Sequence, residues 1–229
     1  MRKNNFKKYL LIDICGTYVQ ENTTFGLIKK HFSKYSIKGI YIRLFTYKYS
    51  PLKIFIIGLE KILGNEILKK ILIFSLRGVK ISSLEKTAHE YAKDLLYKKS
   101  NFDSEISACI KKYRDNCQPI FASSSIEPIV KEISSLERIP YISNKLEVIN
   151  DKYTGKIYND VTGLKSEEIY KKFNIDLQKN NYYLITDNKS DLNMVNDSVL
   201  TFFICRKKKI SFNIKDFKIK KIKILYLQN

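Results

Sequence analysis

The sequence predicts an α/β protein: a parallel sheet covered by helices on both faces, interrupted by one long helical insert. Three observations carry this reading. A short apolar run, Tyr9-Leu10-Leu11-Ile12, ends in Asp13 and a Gly-Thr turn, the pattern of a buried strand that delivers a carboxylate to a loop. From about Val19 to Asn101 the periodicity is helical, with no obvious strand. From Asp103 onward helical and strand patterns alternate, which builds a parallel sheet covered on both faces.

The elements follow in order. After the first strand, Ser50 precedes Pro51, a favoured first helical position. Ser82 and Glu85 have capping-box spacing. Leu84, Ala88, Tyr91, Ala92, Leu95 and Leu96 then form an amphipathic stripe. His89 lies beside it and reads as a partly buried structural histidine. Residues 104–115 form the next helix, with Cys109 on the face of Ile106, Ile110 and Tyr113 and therefore in the core. Ile120-Phe121-Ala122 is a short buried strand, followed by a helix from Ile126 to about Leu136. Pro140 to Ile142 is a strand. Lys145 to Tyr158 is a hairpin, with Asp151 and Gly155 near its turns. A helix at Ser166–Phe173, a strand at Tyr182–Thr186, a short helix at Ser190–Val195 and a strand at Val199–Ile204 follow. The tail, Phe217 to Leu227, alternates Ile and Lys as an edge strand does.

Bulk properties bound the function. The 229 residues suffice for one large domain, or a core with an inserted lobe, and 44% hydrophobic residues supply a buried core. Cys15, Cys109, Cys117 and Cys205 match no zinc spacing and no compact disulfide framework, which points to a reducing, cytoplasmic setting. The basic N-terminus leads into an apolar stretch too short for a signal peptide. No run reaches the ~18 apolar residues of a membrane span. The net charge of +19 is nearly all Lys and is spread along the chain. That spread argues against a nucleic-acid partner, which a concentrated patch would mark, and leaves peripheral membrane contact open. Only Arg206-Lys207-Lys208-Lys209 and the segment Lys218 to Lys223 are dense in charge. Nothing here sets an oligomeric state.

Ligands of open parallel sheets bind beyond the carboxyl ends of the strands, and four polar clusters fall at such ends. Asp13 follows the first strand, Ser123-Ser124-Ser125 the strand at Ile120, and Asp187 and Asp191 the strand at Tyr182; Lys165 opens a helix. Each suits phosphoryl transfer. A carboxylate can attack phosphorus. Ser123, with Ser124 beside it, offers a hydroxyl and backbone N–H groups to phosphate oxygens. Lys165 supplies positive charge. Asp187, with Asp13, can hold Mg²⁺, which takes oxygen ligands and shares them with a phosphate. Singly, these residues read as a turn, an N-cap, a surface lysine and a helix cap. Their order along the chain makes them a set.

This set resembles the haloacid dehalogenase (HAD) superfamily, in the branch that includes phosphoserine phosphatases (subclass IB). Asp13-Ile14-Cys15-Gly16-Thr17 looks like its first motif, Ala122-Ser123-Ser124-Ser125-Ile126-Glu127-Pro128 its second, Gly163-Leu164-Lys165-Ser166-Glu167-Glu168 its third and Thr186-Asp187-Asn188-Lys189-Ser190-Asp191 its fourth. Leu76-Arg77-Gly78 resembles the end of the family's helical cap, and Tyr153-Thr154-Gly155-Lys156-Ile157 the hairpin before the lysine motif. The resemblance implies a Rossmann-like three-layer α/β/α core (1–18 plus 102–229) and a helical cap (19–101). It also implies Mg²⁺-dependent hydrolysis of a phosphate monoester through an aspartyl-phosphate. Asp13, Asp187 and the backbone carbonyl of Cys15 would be metal ligands supported by Asp191, and Ser123 and Lys165 would hold the phosphoryl group. The substrate would be a small phosphorylated metabolite. Gln20 to Gly26 and the apolar cap helices look like phosphatidylglycerophosphatase C, which implies a lipid-linked phosphate.

Two positions depart from the family pattern. Cys15 stands where the family has the Asp that protonates the leaving group and then activates water. General acid–base catalysis contributes typically ~10²–10⁴ in rate, and a thiol is a poor substitute for a tuned carboxyl. The chain then reads as a slow phosphatase, as an enzyme that hydrolyses its aspartyl-phosphate slowly, or as a decayed relative with a binding or regulatory role. Thr186 replaces the first Gly of the fourth motif.

Overall fold

A computed structural model describes residues 8–47, 49–63, 66–102, 104–188, 191–205 and 222–226. Its frame is a seven-stranded sheet of β1 (Lys8–Ile12), β2 (Gln118–Ile126), β3 (Tyr141–Ile149), β4 (Lys152–Asn159), β5 (Asn181–Thr186), β6 (Leu200–Cys205) and β7 (Ile222–Tyr226), in the order β4-β3-β2-β1-β5-β6-β7. Every pairing is parallel except β3 with β4. The central strands are apolar on both faces. Leu10 and Ile12 point into one core cluster and Leu11 into another. Phe121 and Ile185 join the first cluster, while Ile120, Ala122 and Leu184 join the second. Such two-sided burial is what a three-layer α/β/α arrangement demands of its middle strands.

Among the described residues, six helices separate β1 from β2: α1 (Thr23–His31), α2 (Ile37–Thr46), α3 (Pro51–Leu63), α4 (Ile67–Phe74), α5 (Ile81–Phe102) and α6 (Ser104–Arg114). Asn22 and Ser36 cap α1 and α2 through their side chains. Leu84, Ala88, Tyr91, Ala92 and Leu95 of α5 are buried in the first cluster, and α5 packs on α7 (Glu127–Glu137). The remaining helices are α8 (Lys165–Phe173) and α9 (Leu192–Asp197).

Several local expectations need correction. α5 begins at Ile81, so Ser82 lies inside its first turn and does not cap it; Glu85 pairs with Lys131 instead. His89 is exposed and hydrogen-bonds Glu132 at 2.8 Å. Cys109 is half-buried against the first cluster. β2 runs through the three serines to Ile126, with a register irregularity after Ala122; Ile126, not a serine, is the N-cap of α7. β3 continues from Tyr141 to Ile149, joining the predicted strand to the hairpin. The hairpin turn is Asn150-Asp151, both at positive φ. Gly155 is not near a turn but within β4, at φ +84, where an added Cβ would sit 2.8 Å from the Phe74 carbonyl oxygen; α4 ends on it. The Ser190 start of the short helix, the 206–209 cluster, most of the 218–223 segment and the ends of the predicted tail strand lie outside the described residues. What is described of the tail, β7, is an edge strand.

The two lesser resemblances meet in space. Gly78 N–H donates to the Tyr153 carbonyl at 2.8 Å and Tyr153 N–H donates to the Val79 carbonyl at 2.9 Å. The end of the helical insert is thereby joined to the β3–β4 hairpin.

Candidate active site

The chain leaves β1 at the switch point of the sheet, where β2 lies on one side and β5 on the other; ligands of open α/β sheets bind at such a point. Asp13 N–H donates to the Ile185 carbonyl at 2.9 Å, which sets the carboxylate just beyond the strand end. Asp13 is 4% exposed. Lys165 opens α8 and is equally withdrawn from water. Its Nζ donates to Asp13 Oδ1 at 3.2 Å and to Asp191 Oδ2 at 2.9 Å. Thr186 Oγ1 donates to the same Asp191 oxygen at 2.8 Å, so the residue replacing a glycine fixes a carboxylate here. Thr17 Oγ1 donates to Asp187 Oδ1 at 3.2 Å. Gly16, at φ +72, lies so close to Asp187 that an added Cβ would come within 2.0 Å of its Oδ2.

Residues from three of the four motifs are thus in direct contact or one residue removed from it, and Ser123 and Ser124 of the second line the same cavity, described below. Lys165 sits between two carboxylates, Asp13 and Asp191, and the charge of a third, Asp187, acts on Asp13. Burial pushes the Asp13 carboxyl up to about 7; the charges of Asp191 and Asp187 add to this, and Lys165 opposes it. Burial works to lower Lys165, but Asp13 and Asp191 outweigh it and hold the ammonium above its ordinary value. The surplus of negative charge suits a divalent cation. No group of three His, Cys, Asp or Glu side chains gathers as a metal cluster among the described residues. A small hard cation needs fewer: one or two carboxylates, with waters and substrate phosphate completing the shell. Asp13 and Asp187 are donors of that kind.

The serine run divides its work. Ser123 is fully buried, and its Oγ accepts from Ser125 N–H at 3.2 Å. The Ser124 Oγ is buried and has no hydrogen-bond partner among the described residues. A buried hydroxyl without a partner costs free energy unless a ligand supplies one. All three serines line a cavity of about 580 Å³ together with Asp13, Cys15 and Asp187. Much of its remaining wall comes from the insert, including Lys53, Ile57 and Glu60 of α3, Glu66, and Lys69 of α4. Lys69 Nζ donates to Glu66 at 2.5 Å and to Thr162 Oγ1 at 3.3 Å.

Cys15 is held in a knot of hydroxyls. Its Sγ lies 2.8 Å from Ser125 Oγ and 3.0 Å from Thr23 Oγ1, and accepts from Thr23 N–H at 3.3 Å. Thr23 Oγ1 donates to Ser125 Oγ at 2.7 Å. Burial and the Asp13 charge push the thiol above its ordinary value, so at neutral pH it is protonated. Sequence reasoning missed Thr23, Thr17, Lys53 and Lys69. The first approaches Cys15 through the start of α1, and the lysines arrive through helix packing; no local pattern marks them. Thr17 sits inside the first motif and was legible as a hydroxyl near the site.

No family model and no curated protein matches the chain. Solved structures do. A protein of unknown function from Bordetella pertussis Tohama I is similar with a TM-score of 0.62 and 10% identity over 86% of this chain and 89% of that one. A phospho-aspartyl intermediate analogue of phosphoserine phosphatase is similar with a TM-score of 0.54 and 20% identity, covering 87% of each chain. A HAD family hydrolase from Salmonella enterica subsp. enterica serovar Typhi has a TM-score of 0.58 and 12% identity, over 94% of this chain and 66% of that one. The chain therefore shares a fold with HAD hydrolase and phosphoserine phosphatase structures: a Rossmann-like α/β core with helices between its first two strands.

Proposed function

We propose that the protein is a Mg²⁺-dependent phosphate-monoester hydrolase that works through an aspartyl-phosphate, with residues 19–101 as the cap over its site. The observation that carries this reading is the buried Lys165 ammonium shared by Asp13 and Asp191, which brings distant parts of the sequence to one switch point. Bound by Asp13, Asp187 and the Cys15 carbonyl, Mg²⁺ would offset the repulsion between carboxylate and phosphate. Asp13 attacks phosphorus and the bond to the substrate oxygen breaks, leaving the phosphoryl group on Asp13. Lys165 and Ser123 hold the phosphoryl oxygens, and Ser124 gives its hydroxyl to one of them. The leaving alkoxide needs a proton; burial and the Asp13 charge hold the Cys15 proton in place, so water supplies it and the thiol stays protonated. Hydrolysis of the aspartyl-phosphate then needs a base, which a protonated thiol is not. Turnover is accordingly slow, and slowest at the second half.

The test is phosphate release from a panel of small phosphate monoesters and lipid phosphates, with Mg²⁺ and with chelator. Wild type turns over slowly with Mg²⁺ only, and Asp13→Asn does not turn over at all. Turnover retained by Asp13→Asn would overturn the mechanism. Cys15 also favours a second reading, a non-catalytic protein that binds a phosphorylated ligand. Its signature is protection from thermal unfolding by beryllofluoride with Mg²⁺, and no phosphate release from wild type or Cys15→Asp.

A further inference from the structure

The described part of the chain exposes eighteen large hydrophobic side chains, and ten of them fall between Tyr35 and Phe55. They are not scattered. In α2, Ile37, Ile40, Tyr41 and Leu44 are 89%, 52%, 37% and 54% exposed; their spacing of i, i+3, i+4, i+7 makes one stripe of the helix. Gly39 and Ile42 of the same helix are buried. α2 therefore turns an apolar stripe to solvent. At the start of α3, Leu52, Ile54 and Phe55 are 42%, 61% and 64% exposed, and Tyr47 and Tyr49 lie exposed between the two helices. Isolated exposed hydrophobes need no explanation, but a contiguous face marks a surface that something covers.

The charge of this segment says what covers it. From Asn22 to Leu59 the sequence contains seven Lys and Arg residues (Lys29, Lys30, Lys34, Lys38, Arg43, Lys48, Lys53) and no Asp or Glu; of these, Lys30 pairs with Asp94 and Lys53 turns to the site cavity. Lys29 and Arg43 line a groove of about 700 Å³ with Ile40, Leu44, Tyr47 and Tyr49. Aliphatic anchors, tyrosines and cations without a single carboxylate are the composition of a helix lying in the headgroup layer of a bilayer, where anionic lipids attract each cation. No helix among the described residues is long and apolar enough to cross a membrane, so such a face lies on the surface and does not span it. We infer that the α2–α3 face is a docking surface for an anionic lipid bilayer. This inference stands apart from the phosphatase reading. It does bear on the site, because α3 sends Leu52 and Phe55 to solvent and Lys53 and Ile57 to the site cavity.

The test is sedimentation of the full chain with vesicles of phosphatidylcholine alone and of phosphatidylcholine mixed with phosphatidylglycerol. The expected partitioning is roughly tenfold or more in favour of the mixed vesicles. The double variant Ile40→Glu/Leu44→Glu loses that binding, while Asp13→Asn keeps it. Because the chain has no Trp, Tyr41→Trp supplies a single reporter: its emission moves to shorter wavelength with anionic vesicles, whereas Tyr158→Trp, at an exposed position on β4, does not respond. That reporter decides the matter even if the double variant fails to fold. The inference is overturned by absence of wild-type binding, by an unresponsive Trp at position 41, or by undiminished binding of the folded double variant, which would mean diffuse charge alone. It is equally overturned if the face proves to join two copies of the chain, seen as a dimer that the double variant dissociates and that vesicles do not recruit.

Discussion

At the carboxyl edge of the sheet, Lys165 and Asp191 are withdrawn to 2% and 3% exposure, whereas on α2 Ile37 stands 89% exposed. One region hides charge and the other displays hydrocarbon, each against the usual preference. The hidden charges hold because every one has a partner: Lys165 spans two carboxylates, and Thr186 and Thr17 donate to Asp191 and Asp187. The displayed side chains of α2, Ile37, Ile40 and Leu44, stand largely in solvent among the described residues. The contrast teaches that a violation satisfied from within belongs to a site, while one left unsatisfied belongs to a surface that meets something else.

The first way to sharpen this contrast is to add a carboxylate to the hidden cluster. Cys15→Asp places one where Thr23 N–H, Thr23 Oγ1 and Ser125 Oγ already face the thiol. Phosphate-monoester turnover is expected to rise on the order of 10²–10⁴-fold, read as steady-state phosphate release, and accumulated phosphoenzyme should vanish. The second is to remove the shared cation. Lys165→Met leaves Asp13 and Asp191 facing each other uncompensated, at a cost of about 3–5 kcal/mol, and lowers turnover on the order of 10²–10³-fold; denaturant unfolding and steady-state kinetics check the two parts. The third compares one residue type in both regions. Leu11→Ala, in a fully buried position, should cost about 2–5 kcal/mol, while Leu44→Ala should stay within about 0.5 kcal/mol. Equal losses would dissolve the contrast. The smallest effect is expected at His89, whose exposed pairing with Glu132 is worth at most about 1 kcal/mol; His89→Ala should barely move the unfolding midpoint.

The sheet was readable because its central strands are apolar on both faces, as Leu10, Leu11 and Ile12 show. Strand ends were misjudged wherever polar residues continue a strand. Ser123 to Ser125 read as following the strand, as an N-cap run before the next helix, yet β2 carries them, since their hydroxyls and N–H groups mostly find partners in the fold. Gly155 read as a turn residue because glycine usually marks one; Asn150 and Asp151 take the left-handed positions instead, and the glycine makes room for Phe74. The motif carboxylates and Lys165 were legible as a set, each at a strand end or helix start. The knot of Thr23 and Ser125 around Cys15 was not, because it joins residues a hundred positions apart. Periodicity identifies an amphipathic helix but is silent on which side meets the core, so the outward stripe of α2 had no signature in the sequence.

The seam between the end of the insert and the β3–β4 hairpin is made by main-chain groups of Gly78, Val79 and Tyr153. Apart from Gly78, whose φ of +83 favours glycine, such a backbone seam asks little of side-chain identity. Lys53, Ile57 and Lys69, insert residues that face the cavity, lie outside this seam and can change without unpicking it.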